Sequence, residues 1–173
     1  MKRANVVALV VVFAIGVAVG GFARSNAATT AMFQGKSKDD AARALLDAAR
    51  EQAGRGSWER IAVARAYYLA GKKKQGQEIF DSLRKQEDSD LLRIARVYYE
   101  AGEWDKAKEM FERVVTMSST DASRLAEIGA YYNLKGDRER AEELFSKSLA
   151  LEANEVWNTT NIGGSYVGVE PLR

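Results

Sequence analysis

The sequence predicts an all-α protein built as a helical solenoid, and three observations carry that reading. Tyr67, Tyr98, Tyr132 and Tyr166 recur at separations of 31, 34 and 34 residues. Phe80, Phe111 and Phe145 recur at 31 and 34, and Gly71, Gly102 and Gly136 each follow one of the first three tyrosines by four residues. Proline occurs once, at Pro171, so no missing backbone N–H interrupts a helix upstream of it. A period near 34 with two helices around a glycine turn describes units that bury their apolar faces only by stacking.

The chain opens with Met1-Lys2-Arg3 and an apolar run from Ala4 to Ala23, broken only by Asn5. Two readings of residues 1–27 stand side by side. As a secretory signal, the run ends at Gly20-Gly21 and Ser25-Asn26-Ala27 places small residues where signal peptidase reads them. As an uncleaved anchor, residues 4–23 would just span a hydrocarbon core of about 30 Å, with Lys2 and Arg3 on the cytoplasmic side. The run is mostly Val, Ala and Gly with a single Leu, which favours cleavage. Either way the body is expected outside the cytoplasm, as an exported (periplasmic or secreted) or membrane-anchored protein.

Residues 28–37 read as a linker. Ser37-x-x-Asp40 has the form of a capping box, and Asp39–Gln52 follows as an Ala-rich helix with Leu45, Leu46 and Ala49 on one face. Gly54 stops it. Three units follow, at about 57–87, 88–121 and 122–155. In the second, Leu91, Ile94, Ala95 and Tyr98 are spaced i, i+3, i+4, i+7, as are Ala107, Met110, Phe111 and Val114. A small residue precedes each repeated tyrosine by three: Ala64, Ala95, Gly129 and Gly163. Beside a bulky ring it lets two helices approach closely. Ala42, Leu46 and Ala49 lie 34 residues before Gly76, Phe80 and Leu83, so residues 38–54 read as a partial unit that supplies only a second helix. At the other end Ile162, Gly163 and Tyr166 continue the register, yet Asn158-Thr159-Thr160-Asn161-Ile162-Gly163-Gly164-Ser165 is poor helix material. Residues 156–173 are expected to be a frayed cap or tail.

Composition narrows the function. Of 173 residues, 46% are hydrophobic and 29% charged, as in a folded domain. Cysteine and histidine are absent, which removes disulfides, thiolate and imidazole metal sites and every triad needing those groups. No metal site, cofactor or catalytic residue is expected. Residues 1–27 hold three basic residues and no acid, so the remainder carries 23 basic against 24 acidic residues. That balance argues against a nucleic-acid binder. Asn158-Thr159-Thr160 is a glycosylation sequon, relevant in a eukaryotic secretory host.

At Leu91-x-x-Ile94-Ala95-x-x-Tyr98 with Ala107-x-x-x-Phe111, and at Leu125-x-x-Ile128-Gly129-x-x-Tyr132 with Ala141-x-x-x-Phe145, the chain resembles the tetratricopeptide repeat family. Residues 57–87 are a poorer copy. Arg60 replaces the first apolar residue, Gly76 replaces the alanine, and three residues are missing before Asp88. The resemblance implies a right-handed α-solenoid of antiparallel helix pairs and a protein or peptide partner held on the concave face. The first helix of each unit would line that face.

The stripe expected there is Trp58, Ile61, Ala62, Arg65 and Tyr68, then Ser89, Leu92, Arg93, Arg96 and Tyr99, then Ser123, Ala126, Glu127, Ala130 and Asn133. Arg with Tyr and Trp is the composition of binding hot spots, and a guanidinium forks a carboxylate in two parallel bonds. The candidate partner-binding residues are Trp58, Arg65, Tyr68, Arg93, Arg96, Tyr99 and Asn133, for a partner with acidic groups or a free C-terminal carboxylate. The competing reading is that these arginines pair with neighbouring glutamates while the tyrosines cover core. The function expected is a non-catalytic interaction module or adaptor. The alternative is a self-associating scaffold of a membrane-associated assembly.

Overall fold

The computed structural model describes residues 27–83 and 86–172, and the chain divides into two compact units at Gly54. The candidate signal or anchor segment, through residue 26, lies outside the described residues, and no described helix is long and apolar enough to cross a membrane.

The first unit holds, among its described residues, a short 3-10 turn at Thr30–Met32 and one helix, α1 (Lys38–Ala53). Ser37 caps α1: its Oγ accepts from the Asp40 N–H at 3.1 Å and donates to Asp40 Oδ2 at 2.8 Å. Asp39 and Asp40 in the first turn complement the helix dipole. Gly54 ends it with φ of +54°, a value that disfavours a side chain. Ala53 is the one buried residue of α1; Leu45, Leu46 and Ala49 are only half-buried.

The second unit contains α2 (Ser57–Leu69), α3 (Lys73–Asp81), α4 (Asp88–Glu100), α5 (Trp104–Met117), α6 (Ala122–Leu134), α7 (Arg138–Leu151) and α8 (Val156–Tyr166). Helices α2/α3, α4/α5 and α6/α7 are antiparallel pairs, as a tetratricopeptide-type stack requires. Each pair turns on a repeated glycine, with φ of +81° at Gly71, +74° at Gly102 and +87° at Gly136. One bond recurs at each turn, from the N–H of Lys72, Glu103 and Asp137 to the carbonyl of Tyr67, Tyr98 and Tyr132 at 2.8–3.0 Å. The spacing of four between tyrosine and glycine is therefore a helix-ending motif repeated three times.

The columns of the repeat form the core. Val63, Ile94 and Ile128, the small Ala64 and Ala95, and the three repeated phenylalanines are all buried. The close approach that the small residues allow is explicit at Gly129, where a Cβ would lie 2.7 Å from the Phe145 ring and 3.2 Å from the Ala141 carbonyl. Gly76 has a reason of its own. A Cβ there would meet the Ala64 carbonyl at 2.8 Å and Tyr68 at 3.0 Å, so α2 and α3 pack too closely for the alanine that α5 and α7 carry. Arg60, where other units have an apolar residue, donates to Ser82 Oγ across the same pair.

The C-terminal stretch departs from its expected frayed state. Residues 156–166 are helical, capped by the Glu155 carboxylate, which accepts from the Trp157 N–H at 3.1 Å. Low propensity is overridden by packing of α8 on α6, where Asn133 donates to Ser165 Oγ at 2.9 Å. The packing also buries Asn158 to 1% exposure, so the folded chain does not present that sequon asparagine for modification.

Candidate functional site

The expected stripe is partly a packing surface, because the first helix of each unit also lies against the first helix of the next. Ile61, Leu92, Ala126 and Ala130 are buried. The polar members then fall into three groups.

Tyr68 belongs to the interior and not to an open groove. It is 1% exposed, edge-on to Tyr98 and tilted against Phe80. Its hydroxyl donates to Glu103 Oε2 at 2.6 Å and accepts from Lys106 Nζ at 3.1 Å. Lys73 and Lys106 also bond Glu103, which binds α2, α3 and the start of α5 together. Lys73 is thus a structural tie between α3 and the start of α5. Burial penalises the Glu103 carboxylate, but the bonds from Lys106, Lys73 and Tyr68 outweigh that and hold its pKa down to about 2. The folded pKa lies below the unfolded one, so the stabilisation is complete above the ordinary carboxylate range and is lost as pH falls through the folded value. Glu103→Gln is expected to lower stability at neutral pH by about 1–2 kcal/mol, discounted because both lysines are half-exposed, and to flatten the acid limb. Urea unfolding midpoints measured from neutral pH down to about pH 2 check this.

Arg96, Tyr99 and Asn133 are engaged within the stack. Arg96 forks Glu127 of the next unit, Nε to Oε1 at 2.6 Å and an Nη to Oε2 at 2.7 Å. The two side chains are 15% and 9% exposed. Burial lowers the Arg96 pKa, and the hydrogen bonds and charge of Glu127, with Tyr131 beside it, together more than reverse that and leave it raised. Tyr99 packs against Tyr131 at 4.6 Å between ring centroids, under the Lys135 ammonium. For Arg96 the glutamate-pairing alternative describes the geometry better than an open binding face does, and the Asn133 amide is engaged by Ser165.

Trp58, Arg65 and Arg93 come together. With Ile61, Ala62, Arg96, Val97 and Glu100 they line a cavity of about 210 Å³ between α2 and α4. Arg65 lies at its rim, its Nε donating to Glu100 at 2.7 Å while half of its side chain meets solvent. The Arg93 guanidinium lies over the Trp58 ring, its central carbon 3.9 Å from the ring centroid. Its Nε is buried without a hydrogen-bond partner, and Arg93 has no carboxylate partner among the described residues. The repeat register gives the cause. Arg96 meets Glu127 one unit on; the same column places Arg65 against Arg93, two cations that cannot pair. Arg65 therefore turns to Glu100, and Arg93 settles on the indole. Of the two cavity residues that the stripe does not include, Val97 and Glu100, Glu100 is the charged one, and its signal is that column mismatch.

A 210 Å³ recess with an apolar wall and an uncompensated guanidinium has the size and chemistry for one acidic side chain or chain terminus, not for a bulky cofactor. Comparison with known proteins adds one finding. The family model of the tetratricopeptide repeat matches residues 91–117, most of α4 and all of α5. No curated protein matches the chain. Residues 91–117 are therefore similar to one tetratricopeptide repeat, set in a chain whose described residues form an all-helical stack of antiparallel pairs.

Proposed function

We propose that the chain is a non-catalytic protein-binding module that receives a partner segment bearing a carboxylate at Arg93. Its body stands outside the cytoplasm, exported or held at the membrane by residues 4–23; the basic start and apolar run support that placement. The observation that carries the binding reading is the Arg93 guanidinium, stacked on Trp58 and left without an acid at the mouth of a cavity. Arg65 in the same lining is already paired with Glu100, so Arg93 is the guanidinium a partner's carboxylate would meet. A carboxylate there would restore the ion pair that the next junction makes internally through Arg96 and Glu127.

Random peptides displayed on phage and selected on the full chain provide the probe. Selected peptides are expected to carry Asp, Glu or a free C-terminus at one common position. In calorimetric titrations Arg93→Ala should weaken a selected peptide about tenfold or more, the worth of one charge-assisted bond. Arg93→Lys should recover part of that, since an ammonium neither forks a carboxylate nor stacks on indole as a guanidinium does. Lys74→Ala, on the exposed start of α3, serves as the control. Equal binding by wild type and Arg93→Ala would exclude this cavity.

A further inference from the structure

The two ends of the described chain each present half of a repeat, and the halves are complementary. At the C-terminal end α8 is a first helix in register: Ile162, Gly163 and Tyr166 stand where Ile128, Gly129 and Tyr132 stand in α6. It is seated on the preceding unit as the other first helices are. The Tyr166 hydroxyl bonds Glu142 at 3.2 Å, as Tyr98 bonds Gln77, the residue of the same column, at 2.8 Å. The face that a first helix turns to its own second helix is nevertheless bare. Tyr166 is 49% exposed, whereas Tyr67, Tyr98 and Tyr132 are buried. A Cβ on Gly163 would meet nothing within 4 Å, whereas one on Gly129 would strike Phe145. The residues after α8 leave this face open: Val169 packs beside Gly164, and the Leu172 N–H bonds Asn161.

At the other end α1 is, among the described residues, a second helix without a first. Its Ala42-x-x-Leu45-Leu46-x-x-Ala49 repeats Ala141-x-x-Leu144-Phe145-x-x-Ser148 and Gly76-x-x-Ile79-Phe80-x-x-Leu83. In α3 and α7 those apolar pairs are buried, while Leu45 and Leu46 are only half-buried. No first helix precedes α1 among the described residues.

We propose that α1 of one copy docks on the bare face of α8 of another, with Leu46 against Gly163, completing one helix pair at each junction. The contact continues the interface that α7 makes with α6 inside each chain. It joins unlike surfaces, so copies add head to tail, into a ring where the rotation closes and an open chain where it does not. It involves α1 and α8 and not the Arg93 cavity, so loss of peptide binding leaves it unaffected.

The chain has no cysteine, which makes paired substitutions selective probes. Full-length chains carrying Leu46→Cys or Gly163→Cys, with different tags, are co-expressed and treated in cells with a short bismaleimide. The expected product is a cross-linked dimer containing both tags, with none from either variant expressed alone. The double variant should give a ladder of dimer, trimer and higher species. A dimer from Gly163→Cys alone would mean α8 pairs with α8 and would overturn the proposal. So would a double variant that yields only an internally linked monomer, or no product at all. Sedimentation of the cysteine-free protein should show mass rising with concentration, and Leu46→Asp should hold it at one chain with its helical circular dichroism unchanged. Concentration-independent mass in the wild type would also refute head-to-tail assembly.

Discussion

Glu127→Ala is expected to destabilise the protein by about 3 kcal/mol, the low end of what removing one member of a buried ion pair costs. The loss exceeds the value of the contact itself. Arg96 would remain 15% exposed with its fork aimed at a methyl group, desolvated and unpaired. Arg96→Ala should cost a similar amount for the converse reason, although Arg96 reads in the sequence as a partner-binding residue. Replacing both, as Arg96→Met with Glu127→Leu, should recover much of the loss, since a well-packed apolar pair of similar volume is often neutral. Chemical unfolding of the four proteins forms a double-mutant cycle, and a coupling near zero would show that the pair is not buried in solution.

Gly129→Leu should cost about as much, roughly 3 kcal/mol, through overpacking. The first added carbon already lies 2.7 and 2.8 Å from two Phe145 ring atoms, and the Ala141 carbonyl behind it belongs to backbone that cannot rotate away. Gly163→Ala occupies the same column and has the opposite expectation. Its Cβ enters open space, so the higher helix propensity of alanine should raise stability by up to about 1 kcal/mol. Thermal unfolding of both variants measures the contrast. Equal shifts in the two would contradict the assignment of Gly163 to an open face of α8.

The tyrosine, phenylalanine and glycine columns by themselves determined the helix pairs, their turns and most of the core. Each unit repeats one local solution, so a residue's column states its neighbours: Gly102 must turn, Phe111 must be buried, Ala95 must be small. Capping at Ser37 and the stop at Gly54 were legible for the same local reason. Periodicity did not show which face of a first helix stays open, because these helices touch both their own second helix and the first helix of the next unit. Tyr68 and Arg96 therefore read as groove residues, although Tyr68 lies in the interior and Arg96 is committed to Glu127. The fate of each arginine depended on a residue 28 to 35 positions away in a neighbouring column. A glutamate in that column consumes Arg96, while a second arginine leaves Arg93 free on Trp58. Propensity also underrated α8, whose glycines and asparagines gain from packing on α6 what they lack as helix formers. Only the tertiary structure decided these points, because burial and ion pairing belong to the contact between units, and a repeat pattern describes a single unit.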